Sequence, residues 1–292
     1  MKVHLLSITS LFIWVPVACL AFQQGSGNPG QDRPATQGKF PWHQQGSLDR
    51  IAGRFPPPEG FNRIELPADS FGSWLRQLPL LPGKPRVKLF DGRIKANQSA
   101  HIAVLDLDVG RGNLQQCADA IIRLRAEYLW AMNRKSEIQF RFTSGHPAEW
   151  SAWQSGMRPV IQGQEVHWRS KARDDSSYAN FRKYLDTVFT YAGSASLARA
   201  LQKVSNAATI LPGDIFIQGG YPGHAVIVLD VAENVAGQRV FLLAQSYMPA
   251  QQMHVLRAPG QAHSPWYRVK KQGELKTPEW SFRASDLRRF PN

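Results

Sequence analysis

Cysteine is nearly missing from this chain: its 292 residues include only Cys19 and Cys117. A multi-disulfide framework is therefore excluded. Beyond residue 22 no apolar run approaches the ~20 residues that a membrane-spanning helix needs. There is no internal repeat, no HExxH and no paired Cys/His spacing. His101, Asp106 and Asp108 share one strand-like run, but in no metal-ligand pattern, so neither a metal nor a cofactor is expected. Acidic residues are also few, 22 against 35 lysines and arginines, for a formal net charge of +13.

What is present begins with MKVHLLSITSLFIWVPVACLAF, residues 1–22. One lysine precedes an uncharged apolar run that ends in small residues, which is the layout of a secretory signal. Two endings compete. Cys19-Leu20-Ala21 fits a small-x-small cleavage site, whereas Val17-Ala18-Cys19 is similar to a lipoprotein box with Pro16 at the usual leucine position, and would put a lipid anchor on Cys19. Either way Cys117 is the sole thiol of the mature chain and no intrachain disulfide can form. Export to the periplasm, the outer membrane or the medium follows. For an exported chain, excess positive charge favours cell-wall or other anionic envelope polymer over nucleic acid, although solubility is the plainer reading of charge alone.

Residues 23–59 are rich in Gln, Gly and Pro without hydrophobic periodicity and read as a flexible linker. Residues 60–292 then form a single domain. Ser70 to Leu78 reads as a short helix, RVKLFDGRIK as a hairpin turning at Asp91-Gly92, and HIAVLDLDV as a strand. The helix containing Cys117 follows. IQFRF reads as a strand, AEWSAWQSG and YANFRKYLDTVFTYAG as helices, and SASLARALQKV as a helix with a serine cap, so the middle is mostly α. LPGDIFIQGG, HAVIVLDVAEN and RVFLLAQSYM are three β-rich runs parted by Gly, Pro and Asn, the pattern of an antiparallel meander. The fold class is α+β, with helices packed on a mainly antiparallel sheet.

The candidate chemistry starts at NLQQCADAIIRLRAEYLW. Asn113 is a good N-cap and Gln116 can close a capping box, which places Cys117 fourth in the helix, at the limit of the dipole's help to a thiolate. A thiol nucleophile needs a partner base. Of eight histidines, His224 is the best placed, opening an apolar strand after a Gly/Pro turn. On the next strand Gln245 can orient the imidazole through its amide oxygen, as Asn does in Cys-His-Asn sites. Ser246, next to it, is the alternative orienting residue, and Ser246 and Tyr247 are also candidate substrate contacts. His254 and His263 carry no assignment, and the nine tryptophans suit either sugar stacking or core packing.

That order, a cysteine near a helix start, then PGDIFIQGGYPGHAVIVLD, then a polar residue on the following strand, resembles the papain-like NlpC/CHAP cysteine amidases and endopeptidases of bacterial cell walls. The resemblance implies Cys117 as nucleophile, His224 as base and Gln245 as the orienting residue. Two departures stand out: Gln-Cys-Ala-Asp replaces Asp-Cys-Ser-Gly, and the long Cys-to-His interval requires a helical insertion. LQQCADAIIRLRAEYL, GDIFIQGGYPGHAVIVLD, LLAQSYMPAQQMHVL and TPEWSF also resemble a bacterial family described as domain of unknown function 4846, a resemblance that brings no established activity.

Gln115 is a candidate oxyanion donor. Asp119, Arg123 and Glu127 recur every four residues and read first as a solvated charged row. Asp119 and Arg123 follow the thiol so closely that they are also candidate substrate contacts. Two functions therefore stand side by side: an exported thiol hydrolase cutting an amide of peptidoglycan peptides, and a non-catalytic envelope-binding domain in which Cys117 only packs.

Overall fold

A computed structural model describes residues 40–43, 49–260, 264–268 and 273–291. The leader with Cys19, residues 23–39 and His263 lie outside the described residues. The helices described are α1 (Ile51–Arg54), α2 (Phe71–Arg76), α3 (Cys117–Ala131), α4 (Trp150–Gln154), α5 (Tyr178–Tyr191) and α6 (Ser194–Ala200). One nine-stranded sheet contains β1 (Phe61–Arg63), β2 (His101–Val104), β3 (Gln202–Lys203), β4 (Ile215–Gln218), β5 (His224–Asn234), β6 (Arg239–Gln245), β7 (His254–Leu256), β8 (Tyr267–Arg268) and β9 (Leu287–Arg289). Its order is β2-β7-β6-β5-β4-β9-β3, with β1 also pairing with β5 and β8 with β6. Each of these pairings is antiparallel.

The meander β4-β5-β6 forms the centre of the sheet, as the three apolar runs lead one to expect. These strands are almost continuously apolar because both faces are covered, so the usual alternation of buried and exposed residues is lost. Ala225, Ile227 and Leu229 of β5 face the main core, with Ile121 and Leu124 of α3. Val226, Val228 and Val231 face a second cluster with Phe241, Leu243, Leu256 and Phe282. Burial of a Val- or Leu-sized side chain is worth about 1.5–3 kcal/mol, so two covered faces give this sheet most of its hold.

β5 contains a bulge. Leu242 pairs with Asp230 and Leu243 with Val228, so Leu229 is the extra residue. Beside it the Asp230 carboxylate, fully buried, receives Nε of Arg63 and Nε of Arg76, each at 2.6 Å. This ion triad ties β1 and α2 to the sheet.

Three expectations from sequence need correction. The packed chain reaches upstream of residue 60: Phe40, Ile51 and Phe55 belong to the main core, and Trp42 donates its indole N–H to Asp106 O at 2.8 Å. Pro and Gly density in 23–59 had suggested a linker throughout, but the apolar residues at its end find partners. Residues 157–162 and 165–170 form a two-stranded hairpin turning at Gly163, inside the segment read as mostly helical. The hairpin lies outside the main sheet and is largely half-exposed, so little apolar alternation marks it. The cap of α6 is Gly193, whose N–H donates to Ser196 Oγ at 3.0 Å, and not a serine.

Candidate functional site

The start of α3 differs from the sequence reading in a way that matters for the thiol. Gln116 is the N-cap, and its backbone N–H donates to Asp119 Oδ2 at 3.1 Å. Cys117 is therefore the first helical residue and not the fourth. Asn113 is engaged elsewhere: its Oδ1 accepts from Ala250 N–H at 2.7 Å and from Gln116 Nε2 at 3.2 Å. At the first helical position the Cys117 N–H has no intrahelical acceptor, and the helix dipole is at its strongest.

His224 opens β5 directly behind Gly223. A Cβ on Gly223 would collide with Gly220 O and Ser194 Oγ, so only glycine fits this close approach of the turn to α6. Nε2 of His224 lies 2.8 Å from Gln245 Oε1, across neighbouring strands. The ring is flanked by Tyr247 and Trp280 at centroid distances of 4.7 and 5.3 Å. Its other nitrogen, Nδ1, has no hydrogen-bond partner among the described residues.

Cys117 and His224 both line one cleft of about 800 Å³, together with Asn113, Asp119, Tyr247 and Trp280. Tyr221 and Met248 also line it and are exposed, 94% and 53%. No lysine or arginine is among its lining residues, so the basic surplus of the chain is carried elsewhere. No hydrogen bond joins Sγ to the imidazole. Instead the backbone N–H of Ala225 favours the ionised sulfur.

Burial dominates the electrostatics. It pushes the Cys117 thiol up to about 11, with the Asp119 carboxylate adding to the push and the Ala225 N–H opposing it. It drives the His224 imidazole down to about 4, against the Gln245 hydrogen bond that favours the charged form. Asp119 itself is lifted by burial to about 8, opposed by the Gln116 N–H, and its Oδ1 has no partner. At neutral pH the cleft therefore holds a thiol, a neutral imidazole and a largely protonated carboxyl group.

The remaining candidates fall into two groups. Gln245 contacts His224, and Tyr247 and Asp119 line the cleft. Gln115, Ser246 and Arg123 are buried and are not among the cleft-lining residues. The Gln115 amide is held by Asp108 O at 3.2 Å and by Arg123 Nη1 at 2.8 Å. Ser246 Oγ lies 3.1 Å from Gln115 O and 2.9 Å from Gln251 O, drawing the turn before Cys117 onto the end of β6. The charged row along α3 is not solvated: Arg123 and Glu127 are fully buried and Asp119 is buried. Arg123 pairs with Asp108 at 2.6 Å and with Glu127 at 3.4 Å, and Tyr178 donates to Glu127 at 2.7 Å. Aromatic and charged residues of α5 and the 108 loop cover that face.

Two residues that carry weight here escaped the sequence reading. Glu279 receives Gln245 Nε2 at 2.7 Å and is ion-paired with Lys95. The only local hint was TPEWSF, a motif shared with the resembling family but without a chemical pattern of its own. His254, which had no assignment, lies with its Nε2 3.4 Å from Gln245 Nε2.

Among known proteins, the family model described as domain of unknown function 4846 matches residues 51–289. No curated protein and no solved structure matches.

Proposed function

The chain belongs to the family of domain of unknown function 4846, and we propose that this member is an exported thiol hydrolase that cleaves an amide bond of cell-wall peptides on a papain-like arrangement. The observation that carries the proposal is that the one thiol described, at the first turn of a helix, shares a cleft with a histidine fixed by an amide oxygen.

In this mechanism Sγ of Cys117 attacks the carbonyl carbon of the amide while His224 Nδ1 takes the thiol proton. Starting from a neutral thiol and a neutral imidazole, the proton moves as the S–C bond forms, and no resting ion pair is required. The carbonyl oxygen becomes an oxyanion, for which the Cys117 N–H at the helix start, with no intrahelical acceptor, is a suitable donor. Gln115, whose amide is engaged with Arg123 and Asp108, has no part in that step. Collapse breaks the C–N bond, and the imidazolium returns its proton to the leaving amine. Water, deprotonated by His224, then attacks the thioester carbon; the C–S bond breaks, the carboxylic acid leaves, and the imidazolium returns the proton to Sγ. Hydrogen bonds between catalytic partners commonly tighten only once substrate is bound, which accommodates the absent Sγ–imidazole bond.

The rival is a non-catalytic envelope-binding domain, favoured by one observation: burial holds the thiol un-ionised, pushed up to about 11. The two part company when purified protein is incubated with isolated cell-wall sacculi and the soluble products are read by mass spectrometry. Peptide fragments released by the wild type and lost in both Cys117→Ser and His224→Ala support the hydrolase. Retention on sacculi by all three proteins, with no fragment from the wild type, supports the binding domain and sinks the hydrolase.

A further inference from the structure

Behind His224 lies a chain of polar side chains whose donor and acceptor roles can be worked out without observing a hydrogen atom. His254 Nδ1 sits 2.9 Å from Gln252 O. A carbonyl oxygen only accepts, so Nδ1 of His254 carries the proton. Burial drives this imidazole down to about 3, which leaves it neutral, with a lone pair on Nε2. The Gln245 side-chain atom facing that lone pair must be the NH₂ group. The same NH₂ group meets Glu279 Oε2 at 2.7 Å, a second acceptor-only anchor.

With the nitrogen of Gln245 committed on two sides, its oxygen is turned to His224. Nε2 of His224, 2.8 Å away, must then donate. In the neutral ring Nδ1 is left with its lone pair and with no partner among the described residues. Glu279 is itself fixed, through Oε1, by the Lys95 ammonium and by Asn97 Nδ2 at 3.3 Å.

We propose that Glu279 is a positioning residue which, held by Lys95 and Asn97 and assisted by His254, locks the Gln245 amide so that the neutral His224 ring presents Nδ1 to the cleft as a proton acceptor. Its catalytic meaning rests on the hydrolase proposal, since only a base must meet the thiol as an acceptor. The tautomer itself does not rest on it. An amide flip at Gln245 would reverse the ring, place N–H at Nδ1 and leave nothing to take the Cys117 proton.

The experiment is nitrogen-15 NMR of histidine-labelled full-length protein near pH 7, with the His224 signals assigned by their loss in His224→Ala. The wild type is expected to show His224 protonated at Nε2 alone. Glu279→Gln replaces an acceptor-only group with one that can also donate, so the His224 signals should shift toward a mixture of tautomers, and Glu279→Asp should restore the single form. Should Glu279→Gln fail to fold with Lys95 left unpaired, Lys95→Gln/Glu279→Gln removes both charges and takes its place. A wild type protonated at Nδ1, or a variant that keeps the single Nε2–H form, overturns the proposal. Sacculus cleavage measured in parallel should fall at least tenfold in Glu279→Gln. A tautomer shift in a protein that never cleaves sacculi leaves the lock standing and removes the hydrolase.

Discussion

His224 and Gln245 lie on adjacent antiparallel strands, and their side chains meet at 2.8 Å. The contact joins the first residue of β5 to the last residue of β6, so the imidazole is held by sheet geometry and not by a loop. Replacing Gln245 with leucine keeps the volume and removes the acceptor. If His224 acts as base, we expect sacculus cleavage to fall by about tenfold or more, against the ~10²–10⁴ expected for removing His224 itself. Product release by Gln245→Leu at the wild-type rate argues against the orienting role.

Cys117 should react in a way that separates it from an open, activated thiol. Alkylation by iodoacetamide is expected to be slow at pH 7 and to climb as pH rises toward about 11, because burial favours the thiol. Fast labelling at neutral pH, with a midpoint below that of a free cysteine, would contradict the burial described for the cleft.

Asp119 links stability to pH in the opposite sense from a salt-bridged carboxylate. Its folded-state pKa is raised from 3.8 to about 8, so between those values the folded protein keeps a proton that the unfolded chain has released. Its contribution therefore weakens as pH rises from 3.8 to about 8 and is flat outside that window. Asp119→Asn, which can still accept the Gln116 N–H, should flatten this part of a urea-denaturation profile. A profile unchanged by the substitution removes the assignment.

Two histidines act at the acid end. His224 and His254 are depressed from 6.5 to about 4 and about 3. Below pH 6.5 the unfolded chain binds protons that the folded one refuses, so stability drops as pH falls through this range. Thermal melts of His254→Phe should show a shallower acid decline than the wild type. An equally steep decline would place the acid sensitivity elsewhere.

Arg123 and Glu127 form a pair with no exposure on either side. Removing Arg123 leaves the buried Glu127 carboxylate with only the more distant Arg182, at 3.9 Å, to offset its charge, so Arg123→Met should cost up to about 3–5 kcal/mol. The double variant Arg123→Met/Glu127→Leu should recover much of that loss. Chemical denaturation of the three proteins checks the order.

How much of this was legible in the chain depends on where each residue finds its partner. The meander could be read because Gly219, Gly220, Pro222 and Asn234 punctuate runs that local chemistry alone makes extended. The start of α3 could not, because NLQQCAD offers two overlapping capping boxes, Asn113 with Gln116 and Gln116 with Asp119. Asn is the better isolated cap, yet Asn113 is taken by the N–H of Ala250, a residue 137 positions away. Arg123 and Glu127 have the spacing of a solvated pair, and only the arrival of Tyr178 and Asp108 buries them. His224 with Gln245 was readable because adjacent strands of a meander must pair. Glu279 was not, since it reaches Gln245 from a distant segment with no periodic signal.

The extra residue at Leu229 is taken up as a bulge, so it leaves the phase of everything before it unchanged. In a strand, each one-residue slip turns every side chain to the opposite face. Asp230 is held by Arg63 and Arg76 on one side of the sheet, so the far half of β5 is clamped in place. Deleting Leu229 would leave that clamp intact and join Val228 directly to Asp230, which already face opposite sides of the sheet as partners of Leu243 and Leu242, so His224 would keep its face and the main core would lose one leucine. The extra leucine, five positions from His224, contributes no atom to the cleft and leaves the imidazole's side of the sheet unchanged; what it adds is a second consecutive side chain on the main-core face, an apolar plug set directly beside the ionic clamp at Asp230.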